Sequence, residues 1–94
     1  MRRYGKRDLN HREIVNGLRF AGCSVLDLAD LGDDKPDILV ATRTKTGKRR
    51  SVLLEIKSED GKVSERQADW HQAWKGEVYV VRSLSEALLV MGIK

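Results

Sequence analysis

The spacing of apolar and polar residues changes several times along the chain, and each change marks an element. Between Leu9 and Ala21, Ile14, Leu18 and Ala21 recur at helical spacing and Gly22 follows. This predicts an N-terminal helix, capped by Asp8 or Asn10. The stretch Cys23 to Ala29, with Val25 and Leu26 together, predicts a short strand. Asp30 to Lys35 reads as loop, and Pro36 biases Lys35 toward an extended backbone. Asp37-Ile38-Leu39-Val40-Ala41 predicts a second, well-buried strand. The polar segment Thr42 to Arg50, with Gly47 near its turn, reads as a hairpin connection to a third strand, Ser51 to Lys57. After a polar loop from Ser58 to Val63, Ser64 and Gln67 have the spacing of a capping box. The helix they open is expected to reach about Lys75 and stop at Gly76. Glu77 to Arg82 predicts a fourth strand. Ser83 and Glu86 form a second capping box, opening a helix with Leu84, Leu88 and Met91 on one stripe before Gly92. The order α-β-β-β-α-β-α predicts an α/β (α+β) fold. A three-stranded meander and a helical crossover give a mixed sheet flanked by helices.

The chain has 94 residues, enough for one small domain over 1–94 and too few for two separate cores. Apolar residues are 40% and charged residues 34%, a globular rather than a disordered balance. No apolar run approaches the ~18 residues of a membrane-spanning helix, and no secretory signal is recognisable at the basic N-terminus. The single cysteine, Cys23, excludes an intrachain disulfide and a cysteine-cluster zinc site. These features suggest an intracellular, cytoplasmic protein without a membrane partner. The net charge is +4. Eleven of the eighteen basic residues fall in two clusters: Arg2, Arg3, Lys6, Arg7, Arg12 and Arg19, and then Arg43, Lys45, Lys48, Arg49 and Arg50. Positions 1–8 read as a basic arm. Such clusters are an electrostatic footprint for nucleic acid, although a solvated charged face has the same composition.

The third strand carries the candidate chemistry. Side chains alternate along it, so Val52, Leu54 and Ile56 face a core while Ser51, Leu53, Glu55 and Lys57 face the other way. A glutamate and a lysine within an apolar strand require partners, because burying an isolated charge is costly. Asp37, just after Pro36 on the adjacent strand, is such a partner, since cross-strand neighbours approach within about 5 Å. Asp37, Glu55 and the Ile56 carbonyl form an oxygen donor set suited to Mg²⁺ or Mn²⁺. A lysine beside the metal would activate water or neutralise phosphate charge. Taken singly, Asp37 also reads as a turn former and Glu55–Lys57 as a surface pair.

Pro36-Asp37 followed by Glu55-Ile56-Lys57 resembles the PD-(D/E)xK nuclease signature. Further segments are similar to its VRR-NUC (virus-type replication-repair nuclease) branch: Arg12-Glu13-Ile14-Val15, Leu53 to Lys57, Gln67-Ala68-Asp69-Trp70-His71 and Val80-Val81-Arg82-Ser83. The resemblance runs from Glu13 to Leu89 and is to the stand-alone minimal type, often carried by phages. It implies a restriction-endonuclease-like sheet core with Asp37, Glu55 and the Ile56 carbonyl as metal ligands and Lys57 as the catalytic lysine. It also implies that Glu13 completes the metal site, directly or through water, and that Gln67 supports the site. The residues themselves offer plainer readings. Glu13 follows Asn10 by three residues, as a capping acid would, and Gln67 is placed to close the Ser64 box. For Gln67 the capping and catalytic roles compete for one side chain. Trp70 and Trp74, four residues apart, are expected to pack on one helix face. His71, four residues after Gln67, could face the site; it is expected to pack or hydrogen-bond, with a catalytic role as the lesser alternative.

The activity so implied is metal-dependent hydrolysis of DNA phosphodiester bonds by a structure-selective endonuclease. Minimal members of the family are similar to homodimeric Holliday-junction resolvases, and a two-fold dimer presents two active sites to a symmetric four-way junction. The basic clusters would hold phosphates and give affinity for backbone and shape. Flap, overhang or nicking activity on the same fold, or a non-catalytic DNA-binding module, are the alternatives.

Overall fold

A computed structural model describes residues 6–32 and 34–93. The elements are helix α1 (Lys6–Phe20), strand β1 (Ser24–Asp27), a 3-10 turn (Ala29–Leu31), β2 (Ile38–Arg43), β3 (Arg49–Ile56), α2 (Glu65–Ala73), β4 (Val78–Val81) and α3 (Leu84–Val90). The strands form one sheet in the order β1-β2-β3-β4. The first three pair antiparallel, and β4 joins β3 in parallel through the α2 crossover. This is the mixed α+β architecture expected from the sequence.

One sheet face carries the core. Ile38 and Val40 of β2 and Val52, Leu54 and Ile56 of β3 are buried there with Ile14 and Leu18 of α1 and Ala87 and Met91 of α3. Leu53, Glu55 and Lys57 lie on the opposite face and are also buried. The two-residue period therefore separates a hydrocarbon face from a face that carries charge. Helices α1 and α3 pack closely because residue 17 is glycine. A Cβ at Gly17 would overlap the Leu84 side chain, which offsets the usual cost of about 1 kcal/mol for glycine inside a helix.

Several boundaries differ from those expected, for identifiable reasons. Helix α1 starts at Lys6, so Asp8 and Asn10 lie inside it and neither is its N-cap. Ala21, expected on the buried stripe, is exposed. The segment after β1 contains a 3-10 turn, begun where Asp27 Oδ1 accepts the Ala29 N–H at 2.8 Å. Strands β2 and β3 extend further toward the hairpin, pairing Arg43 with Arg49. The loop 44–48 closes through Thr44 N–H to the Lys48 carbonyl (2.8 Å) and Gly47 N–H to the Thr44 carbonyl (2.9 Å), with Gly47 at φ +84°. Helix α2 ends at Ala73 rather than Lys75, because Trp74 turns to an extended backbone (φ −72°, ψ 129°). The Trp74 ring stacks on Trp70 at a centroid distance of 5.0 Å. Gly76 leaves room for it, since a Cβ there would lie 2.8 Å from Trp74 Nε1.

Both serine caps are present. Ser64 and Gln67 form a complete capping box. At α3, Ser83 accepts the Glu86 N–H, but Glu86 Oε1 takes the N–H of Arg82, one residue before the cap, at 2.6 Å.

Arg50 corrects an expectation. Its guanidinium grips Glu77 through Nε to Oε2 (2.9 Å) and Nη2 to Oε1 (2.6 Å), and donates from Nη1 to the Val90 carbonyl (2.7 Å). It ties β3 to the start of β4 and the end of α3, and its fork is committed to these acceptors rather than to a phosphate. Tyr79 Oη also donates to Glu77 Oε1 (2.9 Å). The Arg50 bonds, and then that of Tyr79, hold the Glu77 carboxyl down at about 2. A carboxyl depressed in the folded state stabilises fully above its ordinary value near 4.5 and loses that contribution as pH falls toward about 2. Urea unfolding at pH 6 and pH 3 tests this. The wild type should lose more stability between those pH values than Glu77→Gln, in which residue 77 does not titrate.

Candidate active site

The charged side chains of the second face gather where β3 ends and β2 begins. Asp37 stands just before β2, on the buried Pro36. Its N–H donates to the Leu54 carbonyl (3.0 Å) and its carbonyl accepts from Leu28 N–H (2.8 Å), so the backbone is tied to both neighbouring strands. Leu54 is also the partner of Ile38. Two residues of one strand thus oppose one of the other, as at a β-bulge, a device that re-aims side chains. The Asp37 carboxylate lies along the end of β3, where Oδ2 accepts the Ile56 N–H at 2.7 Å. The N–H and C=O of one residue within an antiparallel strand project to the same side. The Ile56 carbonyl therefore points to the side on which Asp37 sits.

Glu55 has no exposed surface. Its carboxylate meets α2, where Gln67 Nε2 donates to Oε2 at 3.3 Å. The same Gln67 side chain accepts the Ser64 N–H through Oε1 at 3.1 Å. One end of the amide closes the capping box while the other reaches Glu55, so capping does not keep Gln67 from that carboxylate. One turn later, His71 Nε2 lies 3.6 Å from Glu55 Oε1. Burial, and then the nearby Lys57 charge, lower the His71 pKa from its ordinary value.

Lys57 follows β3 and is almost entirely buried. Its N–H donates to the Val81 carbonyl (3.0 Å). Its carbonyl accepts from Asn10 Nδ2 (3.0 Å), which also reaches the Arg82 carbonyl (3.2 Å). Helix α1 is thereby stapled across the ends of β3 and β4. Arg82 holds the loop after Lys57 from within, with Nη1 donating to the carbonyls of Ser58 (2.7 Å) and Gly61 (2.5 Å). Lys57 is fixed from the strand, the helix and the loop.

No protein-family model matches the sequence, and no curated protein matches it. A solved structure described as a VRR_NUC domain superposes with a TM-score of 0.71 at 20% identity, over 95% of this chain and 97% of that one. The chain has a VRR_NUC-like fold. The likeness spans nearly the whole of both chains. Within this VRR_NUC-like fold, Asp37, Glu55, Lys57 and Gln67 all lie where β3 ends.

Glu13 is not drawn into that cluster. Its side chain is exposed on α1, and no group of three or more His, Cys, Asp or Glu side chains is gathered at metal-holding distance among the described residues. Its reading as a capping acid also fails, because Asn10 is inside the helix and its amide binds Lys57 and Arg82. The oxygen set Asp37, Glu55 and the Ile56 carbonyl fits a hard divalent cation whose remaining positions are water.

Arg2 and Arg3 lie outside the described residues, and of Lys6 and Arg7 only the backbone is described. Arg12, Arg43, Lys45, Lys48 and Arg49 are exposed. What sequence reasoning missed is the task of two residues it had noted otherwise, Asn10 as a helix cap and Arg82 within a family-like segment. Both act on backbone carbonyls of distant residues, and side-chain spacing carries no signal for such bonds.

The two tasks of Gln67 are separable by substitution. Gln67→Glu keeps the acceptor for Ser64 N–H but replaces the donor to Glu55 with a second carboxylate. Urea unfolding at pH 7 should show a loss of about 2–3 kcal/mol. That loss should shrink as pH is lowered, because the pair then shares a proton. Gln67→Ala should cost less at pH 7, since it adds no like charge.

Proposed function

We propose that the protein is a metal-dependent, structure-selective DNA endonuclease, a single VRR-NUC-like domain acting as a homodimeric Holliday-junction resolvase. The observation that carries this reading is the joint fixing of Asp37 on the Ile56 N–H and of Glu55 on Gln67, beside a nearly buried Lys57, in a VRR_NUC-like fold. A binding module has no need of a buried carboxylate beside a polyanion, whereas phosphodiester hydrolysis does. The fold relative is named as a nuclease domain, and DNA is the substrate class that follows.

Asp37, Glu55 and the Ile56 carbonyl would hold Mg²⁺ or Mn²⁺, which when bound supplies Lewis acidity and activates water. Lys57 brings a positive charge to the scissile phosphate from a fixed position, which favours the charge developing in the transition state. Gln67 keeps the Glu55 carboxylate turned to one orientation. Glu13, exposed one turn beyond Asn10, enters only through water or bound substrate.

The substrate surface extends beyond the cluster. Arg43 and Arg49 are direct cross-strand partners at the far end of the sheet. Like charges so placed repel, and a phosphate between them relieves the repulsion. Together with Gly22, Ser24, Ala41, Thr42 and Ser51 they line a concavity of about 510 Å³. Arg49 lies six residues from Glu55 along the same strand and on the same face, about 20 Å at ~3.3 Å per residue. This suits a hold on a DNA arm at a distance from the cut. Arg2, Arg3, Lys6, Arg7, Arg12, Lys45 and Lys48 add phosphate contacts in the same reading. The dimer would form through the exposed β4 edge and α3, where Leu89 is exposed.

Cleavage of a labelled four-way junction, set beside duplex, single strand and flap, tests the function. With Mg²⁺ or Mn²⁺, paired symmetric cuts are expected in the junction and none with EDTA. Glu55→Ala and Lys57→Ala should each lower the rate by on the order of 10²-fold or more, with junction binding retained. Flap or end cutting would replace the substrate assignment, and no metal-dependent cutting would leave a binding module.

The Arg43→Ala/Arg49→Ala pair should weaken binding to all DNA shapes alike. The slope of log affinity against log salt should fall by roughly 2. An unchanged slope would remove these residues from the DNA surface.

A further inference from the structure

Helix α2 presents two polar side chains to one carboxylate, and only the first makes a hydrogen bond. Gln67 donates to Glu55 Oε2. His71, one turn on, aims Nε2 at the other oxygen, Oε1, from 3.6 Å. Nε2 is fully buried and makes no hydrogen bond among the described residues. A buried nitrogen left in that state costs about 1–3 kcal/mol, which an apolar side chain of similar size would avoid. Packing alone therefore does not account for a histidine here. The ring is set edge-on against Trp70, with centroids 6.2 Å apart and planes at 76°, so its direction is fixed from the helix side. Hydrogen bonds at metal-free active sites are often long and shorten on assembly. A closure of about 0.6 Å makes this contact an ordinary N–H···O bond.

We propose that His71 is a positioning residue for the Glu55 carboxylate, the second arm of a two-point grip in which Gln67 and His71 each take one oxygen. The inference rests on the reading of Glu55 as a metal ligand. It does not depend on the charge of the imidazole, because Nε2 carries a proton in the cationic ring and in one neutral tautomer. The role resembles that of groups that orient metal-binding side chains elsewhere, whose loss typically lowers metal affinity 10–100-fold.

The test measures Mn²⁺ binding to DNA-free protein by calorimetry and by electron paramagnetic resonance of the free ion. His71→Leu retains bulk without a donor, and His71→Gln restores an N–H. Glu55→Ala sets the baseline, and thermal unfolding checks that each variant is folded. Expected is a 10–100-fold loss of Mn²⁺ affinity in His71→Leu, with most of it recovered in His71→Gln. Equal affinity in His71→Leu and wild type, with Glu55→Ala inactive in binding, overturns the inference and leaves the reading of the site intact. Absence of Mn²⁺ binding by the wild type overturns both. Nitrogen hyperfine coupling at the bound Mn²⁺ would make His71 a ligand and also overturn the positioning role.

Discussion

The structure depends on keeping one carboxylate, that of Glu55, inside the protein. A charged group without exposed surface is tolerated only if its surroundings compensate for lost water. Much of the second sheet face is organised to do so. The capping box of α2 brings Gln67 to the carboxylate, and the box is itself closed by the same amide. The parallel pairing of β3 with β4 and the Asn10 staple fix Lys57 two residues further on. The bulge at Asp37 turns a second carboxylate along the end of β3. The same bonds that stabilise the fold therefore hold Asp37, Glu55 and Lys57 in one arrangement.

The sheet also separates two kinds of positive charge that look alike in the sequence. Arg49 and Arg50 are neighbours in the chain but project to opposite faces. Arg50 finds Glu77 and the end of α3, whereas Arg49 is exposed beside Arg43. A cluster of five basic residues is thus divided by the pleat into an internal tie and an outward-facing set. Net charge alone overstates what is available to a polyanion.

The order of elements was legible from periodicity, because the alternation in β3 and the capping serines of α2 and α3 are local features. The pairing of Asp37 with the end of β3 was legible in outline, since a hairpin brings those segments together. The termini of α1 and α2 were not. The start of α1 lies among charged residues with no apolar rhythm, and the end of α2 is set by two stacked indoles. The roles of Asn10 and Arg82 escaped notice because they bind main-chain carbonyls 47 and 21 or more residues away. The double use of Gln67 was hidden for a different reason. A sequence shows one residue, not that the oxygen and nitrogen of its amide face different partners.

The parallel strand pair has a consequence for the order of events during synthesis. Lys57 is held through the Val81 carbonyl, and the Asn10 amide bridges residues 57 and 82. Non-local contacts of this kind form only after the intervening chain is available, and parallel pairing is slow to close. A nascent chain still lacking β4 would contain every candidate catalytic side chain and yet lack the strand against which Lys57 is fixed. The topology thus orders the events: the site cannot assemble before β4 has been made and has paired with β3.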